Sequence, residues 1–568
     1  MLQAASDLVK ALFASPRRTY FALLVLFSVV HVAVMWIVPI LPAQDLPQHL
    51  VYARVLQDYD REPIFREWYT LPDHAQPYFT LHYILAALGK VVGLMAAIKF
   101  VASLYAVGMI ASFHALVVAI QRPKKDEVPW TGLLGATFVY NPIFTLGVVQ
   151  YAFTLPFLFV TIAAALRWIE GEASSRQKAA GLLAAFAMPA IHPASISGLG
   201  LVLVLVLVVH RTRTVAKVMS YHLGASLGMT ACWMLVGKSG MTGIKGVLPF
   251  WQTAKYADDF NFIAQRYEAE WSAPLTKLSY ATWTALGPHN WVGLALALVA
   301  ALGCALVLYR LRAPKAEDAN KTPSRMPRVL AAMAIVTAFV PWGLERPTEM
   351  TFIDLRLWAI VVIFGAATIP LRFVAAPRAR LVLAAYAAFA TGHVAVNTLR
   401  FGQEASAVLR LLDKVDSKGL VAAIPFDGGS PHFARRFRLT IFISVYSTVR
   451  SGAPSNQFWG KFTDHLPVDY QPEKHPKSTN PWAPYEFKPH HLEGADWLLL
   501  QKPDRDAPMG ILAAAGEAII TAEAHGQRVA CEHRWCLFRL ERMPETAPAA
   551  PPEGQSGEPC TKGFRVPH

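Results

Sequence analysis

Apolar runs long enough to cross a bilayer recur along the first four hundred residues of the chain and then stop. The first extends from Tyr20 to about Ile40, directly after Arg17 and Arg18. Further runs lie near 97–120, 130–149, 151–167, 179–192, 196–210, 217–237, 290–310, 329–344, 355–371 and 380–398. A helix rising 1.5 Å per residue needs about 20 apolar residues to span the hydrocarbon. The first run is too long for a secretory leader and lacks a small-residue cleavage site, so it reads as an uncleaved anchor.

Basic residues set the orientation, because short translocated loops are depleted of Lys and Arg. Lys10, Arg17 and Arg18 place the N-terminus in the cytoplasm. Arg122/Lys124/Lys125, Arg167/Arg176/Lys178, Arg211/Arg213/Lys217, the run from Arg310 to Arg328, and Arg372/Arg378/Arg380 then fall on that same side. The turns at Gly147 and at His192–Pro193 carry no basic residue. This alternation requires that 78–98, interrupted by Lys90, not cross; it reads as an interfacial or re-entrant helix. About eleven spans and an external C-terminus result, with external loops at 41–96 and 238–289.

Beyond about 400 the pattern becomes that of a soluble domain. Strand-like runs at Leu420–Pro425, Asp496–Leu500 and Cys536–Leu540 are separated by Pro- and Gly-rich connections, predicting a small α/β domain over 400–543. Residues 544–568, rich in Pro, Ala, Gly and Glu, read as a disordered tail. Composition agrees: of 568 residues 54% are hydrophobic and 16% charged, against about 25% charged in soluble domains. The net charge of +14 follows from the basic cytoplasmic loops; no basic stripe suggests nucleic acid. Cys531 and Cys536 flank Glu-His-Arg-Trp and suit either an external disulfide or two nearby thiols. Cys560 has no evident partner, and no metal-type cysteine spacing occurs.

Candidate chemistry gathers at the membrane boundary. The first external loop opens Pro42-Ala-Gln-Asp-Leu-Pro-Gln-His-Leu-Val-Tyr. If Pro47 opens a helix, Asp45 stands at its N-terminus, with His49 and Tyr52 on its following turns. Asp45 is then either a helix cap with an interfacial His49 beside it, or the acid of a site containing both.

That loop, its lone acid, the six spans before a second long external loop and the external terminal domain together resemble the GT-C superfamily of membrane glycosyltransferases. The resemblance covers about 400 residues. It implies an all-α polytopic, GT-C-like membrane domain with a small extracytoplasmic α/β domain, and transfer of a sugar from a polyprenyl-phosphate donor to a glycan, lipid or protein acceptor. Asp45 would be the base, with His49 beside it. The family often shows paired acids where this chain has one, which leaves a Mg or Mn requirement open. Tyr52, His192, Arg346 and Arg356 are candidates for substrate contact, the arginines for the lipid phosphate. Each arginine could instead pair with Glu345, Glu349 or Asp354. Asp258 and Asp259 could form a metal or sugar site, or be merely solvated. A lipid-glycan transporter or flippase and a non-catalytic assembly protein are the rival readings. The Ala- and Arg-rich composition favours a bacterial inner membrane.

Overall fold

The computed structural model describes residues 15–71, 79–192, 195–210, 212–236, 282–287, 290–311, 326–339, 353–416, 419–434, 437–459, 467–474, 476–477, 484–503 and 507–541. Helix α1 (Pro16–Ile37) starts where Ser15 accepts the Arg18 N–H at 3.3 Å and Pro16 occupies the first turn. Phe21, Val25, Leu26, Val29 and Ile37 are exposed on it, an apolar face that water would not tolerate and lipid does. After α1 come α2 (Leu46–Asp58), α3 (Thr80–Val92) and α4 (Leu94–Gln121). Helices α5 (Val149–Ile169), α6 (Ser175–Ile191), α7 (Ser195–His210), α8 (Arg213–Val236), α9 (Trp291–Arg310), α10 (Met326–Phe339), α11 (Ile353–Ala367) and α12 (Pro377–Leu412) follow.

Five of these helices, α1, α4, α5, α9 and α12, are long and apolar enough to cross a membrane by length and composition. The chain is therefore a multi-pass membrane protein. At 13 residues α3 is too short to span; Gly93, at φ 82°, breaks it from α4. Its Tyr83, Ile84, Val91 and Val92 are exposed while Leu81, His82 and Leu85 are buried.

One expected span takes another form. The run 130–149 is not a single helix: Trp130–Phe138 is a 3-10 segment and Pro142–Leu146 a separate short helix, both wholly buried. Irregular backbone at membrane depth needs partners, and side chains supply them. His31 bonds the Ala136 carbonyl at 3.0 Å, and the Tyr105 hydroxyl donates to the Val139 carbonyl at 2.9 Å. Asn141 caps the short helix by accepting the Ile143 and Phe144 N–H groups. Hydropathy registers the apolar content of this run but not the break at Asn141-Pro142.

At 36 residues α12 is nearly twice the length a bilayer requires, and it continues through position 400, where the sequence places a domain boundary. Its end carries the terminal domain. There β2 (Val421–Pro425) pairs in parallel with β4 (Trp497–Gln501), β4 antiparallel with β6 (Trp535–Leu540), and β6 antiparallel with β5 (Gly526–Glu532). One face of this sheet buries Ala422, Ile424, Leu498, Leu500 and Phe538 against α13 (Met509–Ala524). The opposite face, with Val421, Leu499, Trp535 and Leu537, joins the same core as the membrane helices. A two-residue ladder adds to the junction: β1 (Tyr69–Thr70), from the stretch between α2 and α3, pairs antiparallel with β3 (Asp469–Tyr470).

Cys531 and Cys536 face each other across the β5–β6 hairpin and form a disulfide. Of the two arrangements the sequence leaves open, this is the one adopted. The hairpin tip it encloses is fastened to the rest of the chain by Arg410 on Glu532 and by Arg534 on Asp427 at 2.8 Å. Peptide mass spectrometry after thiol alkylation should find Cys531 and Cys536 unmodified until a reductant is added; alkylation without reductant would show free thiols.

Candidate active site

The site is built where the chain passes from α1 to α2. Pro47 lies in the opening turn of α2, and Asp45 occupies the cap position with no side-chain bond to the helix. The capping alternative thus holds for its backbone and not for its carboxylate. That carboxylate accepts a hydrogen bond from Gln44 Nε2 at 3.1 Å. Burial pushes its pKa up to about 8, with the Gln44 bond opposing the shift.

What holds Asp45 in place is a close approach of backbones. Gly147 ends the Pro142–Leu146 helix at φ 92°. A Cβ there would collide with the backbone N, Cα and Cβ of Asp45. Only glycine meets both demands, the left-handed conformation and the missing side chain. Beside this contact the Thr145 carbonyl accepts the Gln44 N–H at 2.9 Å.

His49, buried on the next turn of α2, shares a hydrogen bond with His82 of α3, Nδ1 to Nε2 at 2.9 Å. Burial lowers the His49 pKa to about 4, against a backbone hydrogen bond with Gly147, so the ring is neutral at pH 7. His82 is likewise lowered, by burial and then by His49. Gln150 Nε2 lies 3.4 Å from His82 Nε2. The Tyr52 ring meets that of His82 edge-on at 5.1 Å and lies 4.9 Å from Phe458 of the terminal domain.

Gln150 leads along α5 to a second group. The Arg356 guanidinium, buried at the start of α11, lies 5.0 Å from the Tyr151 ring centroid. His192, at the end of α6, meets the same ring edge-on at 5.5 Å. It is close enough to feel the Arg356 charge and His49. The structure therefore gathers Asp45, His49, Tyr52, His192 and Arg356 about the N-terminus of α5.

Arg346, Asp258 and Asp259 lie outside the described residues, as do Glu345, Glu349 and the side chain of Asp354. Among the described residues no group of three or more His, Cys, Asp or Glu could hold a metal ion. Gln44, His82, Gln150 and Tyr151 escape the sequence reading. Only His82, polar on the buried side of an amphipathic helix, left a usable signal; the others resemble ordinary interfacial residues.

No protein-family model and no curated protein matches the chain. Among solved structures it is similar to ArnT from Cupriavidus metallidurans bound to undecaprenyl phosphate, at 12% identity and a TM-score of 0.41, over 92% of this chain and 98% of that one. The same protein in its apo state gives 12% identity and a TM-score of 0.36, over 90% and 97%. Likenesses this distant assign no reaction, because one fold hosts many.

The glycine contact gives a direct test. Gly147→Ala should lower stability in detergent by about 1–3 kcal/mol, from strain and collision together. Gly171→Ala, at φ 76° with nothing near its Cβ, should cost only about 1 kcal/mol. Equal losses in thermal unfolding would show that the approach to Asp45 is unimportant.

Proposed function

We propose that this chain is a membrane glycosyltransferase of GT-C type, which moves a sugar from a polyprenyl-phosphate-linked donor to an acceptor hydroxyl on the extracytoplasmic face. The observation that carries the reading is a buried carboxyl at the membrane boundary, grouped with two neutral histidines and a buried arginine around one helix end.

Asp45 is the base. As the acceptor oxygen attacks the anomeric carbon, its proton passes to the Asp45 carboxylate, and the bond from that carbon to the phosphate oxygen breaks. The raised pKa suits the role, since a carboxylate near pH 8 is a stronger base than one near 4. The departing polyprenyl phosphate carries the negative charge, and Arg356 is the cation placed to receive it through charge-assisted hydrogen bonds. His192 and Tyr151 flank that guanidinium. His49 and Tyr52 border the base, His49 as a neutral ring that adds no competing charge. Arg346 is proposed for the same phosphate, and Asp258 and Asp259 for the sugar or a divalent cation.

The topology belongs to the same proposal. Taking the Trp130–Leu146 segment as a crossing with α1 and α4 to α12 gives eleven, with a cytoplasmic N-terminus and an external C-terminus in a bacterial inner membrane. The basic loops support that orientation, and so does the Cys531–Cys536 disulfide, since such bonds persist in oxidising compartments.

Transfer of radiolabelled sugar from a pool of polyprenyl-phosphate donors is the assay. Asp45→Asn, at matched protein level, should lose about two to four orders of magnitude of rate. Wild-type transfer should rise with pH and level off above about 8, where Asp45 is ionised. Transfer equal in both proteins, or absent from both, would move the reading to a lipid-glycan transporter. Arg356→Gln should lower kcat/KM for the donor by about tenfold or more; an unchanged value would remove Arg356 from the phosphate site.

A further inference from the structure

The residue before the proposed base joins two parts of the molecule through one amide. Gln44 is buried, and its Oε1 accepts the backbone N–H of Arg438, in the terminal domain, at 2.9 Å. That bond identifies the oxygen end, so the NH₂ end is the one turned toward Asp45 Oδ1, 3.1 Å away. One turn along, Gln48 makes a comparable pair of bonds. Its Nε2 donates to the Gln457 carbonyl at 2.7 Å and its Oε1 accepts the Trp459 N–H at 3.0 Å, yet neither end reaches the carboxylate. The two glutamines thus dock the same domain, and only one of them also touches Asp45.

We propose that Gln44 is a positioning residue through which the terminal domain sets the ionisation of Asp45: the Arg438 N–H orients the amide, and the amide donates to the carboxylate. A donor bonds the ionised carboxylate more strongly than the protonated acid, so it opposes the effect of burial. Docking of the terminal domain thereby becomes a condition for an ionisable base. The charged and titratable groups on the elements about Asp45 are His49, Tyr52 and the Arg54–Asp58 ion pair on α2, His82, Tyr83 and the exposed Lys90 on α3, Tyr151 on α5, His192 at the end of α6, Arg356 on α11 and Arg438 itself. The Asn141–Val148 segment contributes none. The significance for catalysis rests on the reading of Asp45 as base; the hydrogen-bond relay does not.

The test reads Asp45 directly. In full-length protein in lipid nanodiscs, labelled with carboxyl-¹³C aspartate, the protonated carboxyl infrared band that disappears in Asp45→Asn is followed against pH. Gln44→Leu removes the donor, and its midpoint should move upward by about one pH unit. Gln44→Met keeps the side-chain length and adds no charge while removing the amide donor, and should also move the midpoint upward. It serves as the second variant should the leucine protein not fold. Gln48→Leu removes the bonds to Gln457 and Trp459 while the Gln44 amide, its Arg438 partner and the docked domain stay in place, and should leave the midpoint unmoved. An unmoved midpoint in the Gln44 variants, or an equal shift in Gln48→Leu, overturns the proposal. A shift confined to Gln44 variants, together with sugar transfer that survives Asp45→Asn, would uphold the relay and discard the base.

Discussion

The contact between Gly147 and the Asp45 backbone is the constraint around which this site is arranged. It brings the end of a broken membrane segment against the cap residue of α2, leaving no room for a side chain between them. The segment can end there because it is not a continuous helix: Asn141 restarts it, Gly147 turns it, and α5 begins two residues later. The α5 N-terminus then delivers Gln150 toward His82 and Tyr151 beneath Arg356. A straight helix over 130–149 would remove both the turn and the resting place of Asp45.

The irregular segment stays in a membrane protein because its polar atoms are answered by side chains of neighbouring helices and by its own Asn141. His31, Tyr105 and Asn141 are each bonded to or near its backbone. In hydrocarbon an unanswered amide costs several kcal/mol. These polar side chains inside apolar helices therefore do structural work, and their presence reads differently from that of His49, His82 and Arg356. The latter group lies about the α5 terminus and forms the site proposed for the reaction.

The terminal domain is part of this arrangement and not an appendage. One sheet face shares the membrane domain's core, β3 pairs with a strand from between α2 and α3, and Phe458 packs on Tyr52. The surface ion pairs at the hairpin tip add little energy individually. The apolar interface is buried, and the Gln44 and Gln48 side chains that bond across it are buried with it. Domain position and site geometry are consequently coupled.

Apolar run length, the end of those runs near 400 and the strand-like segments beyond it were all legible in the sequence, because lipid and water impose composition locally. So was the helix opening at Pro47 with Asp45 before it, since proline and acid preferences at a helix start depend on a few adjacent residues. The 3-10 break at 130–146, the continuation of α12 through 400, and the partnership of Gln44 with Arg438 were decided only by tertiary structure. Each depends on a residue far away in sequence: His31 and Tyr105 satisfying a broken backbone, a sheet covering the end of a long helix, an amide turned by a distant N–H. A distant partner leaves no periodicity, so hydropathy and motif spacing pass over it.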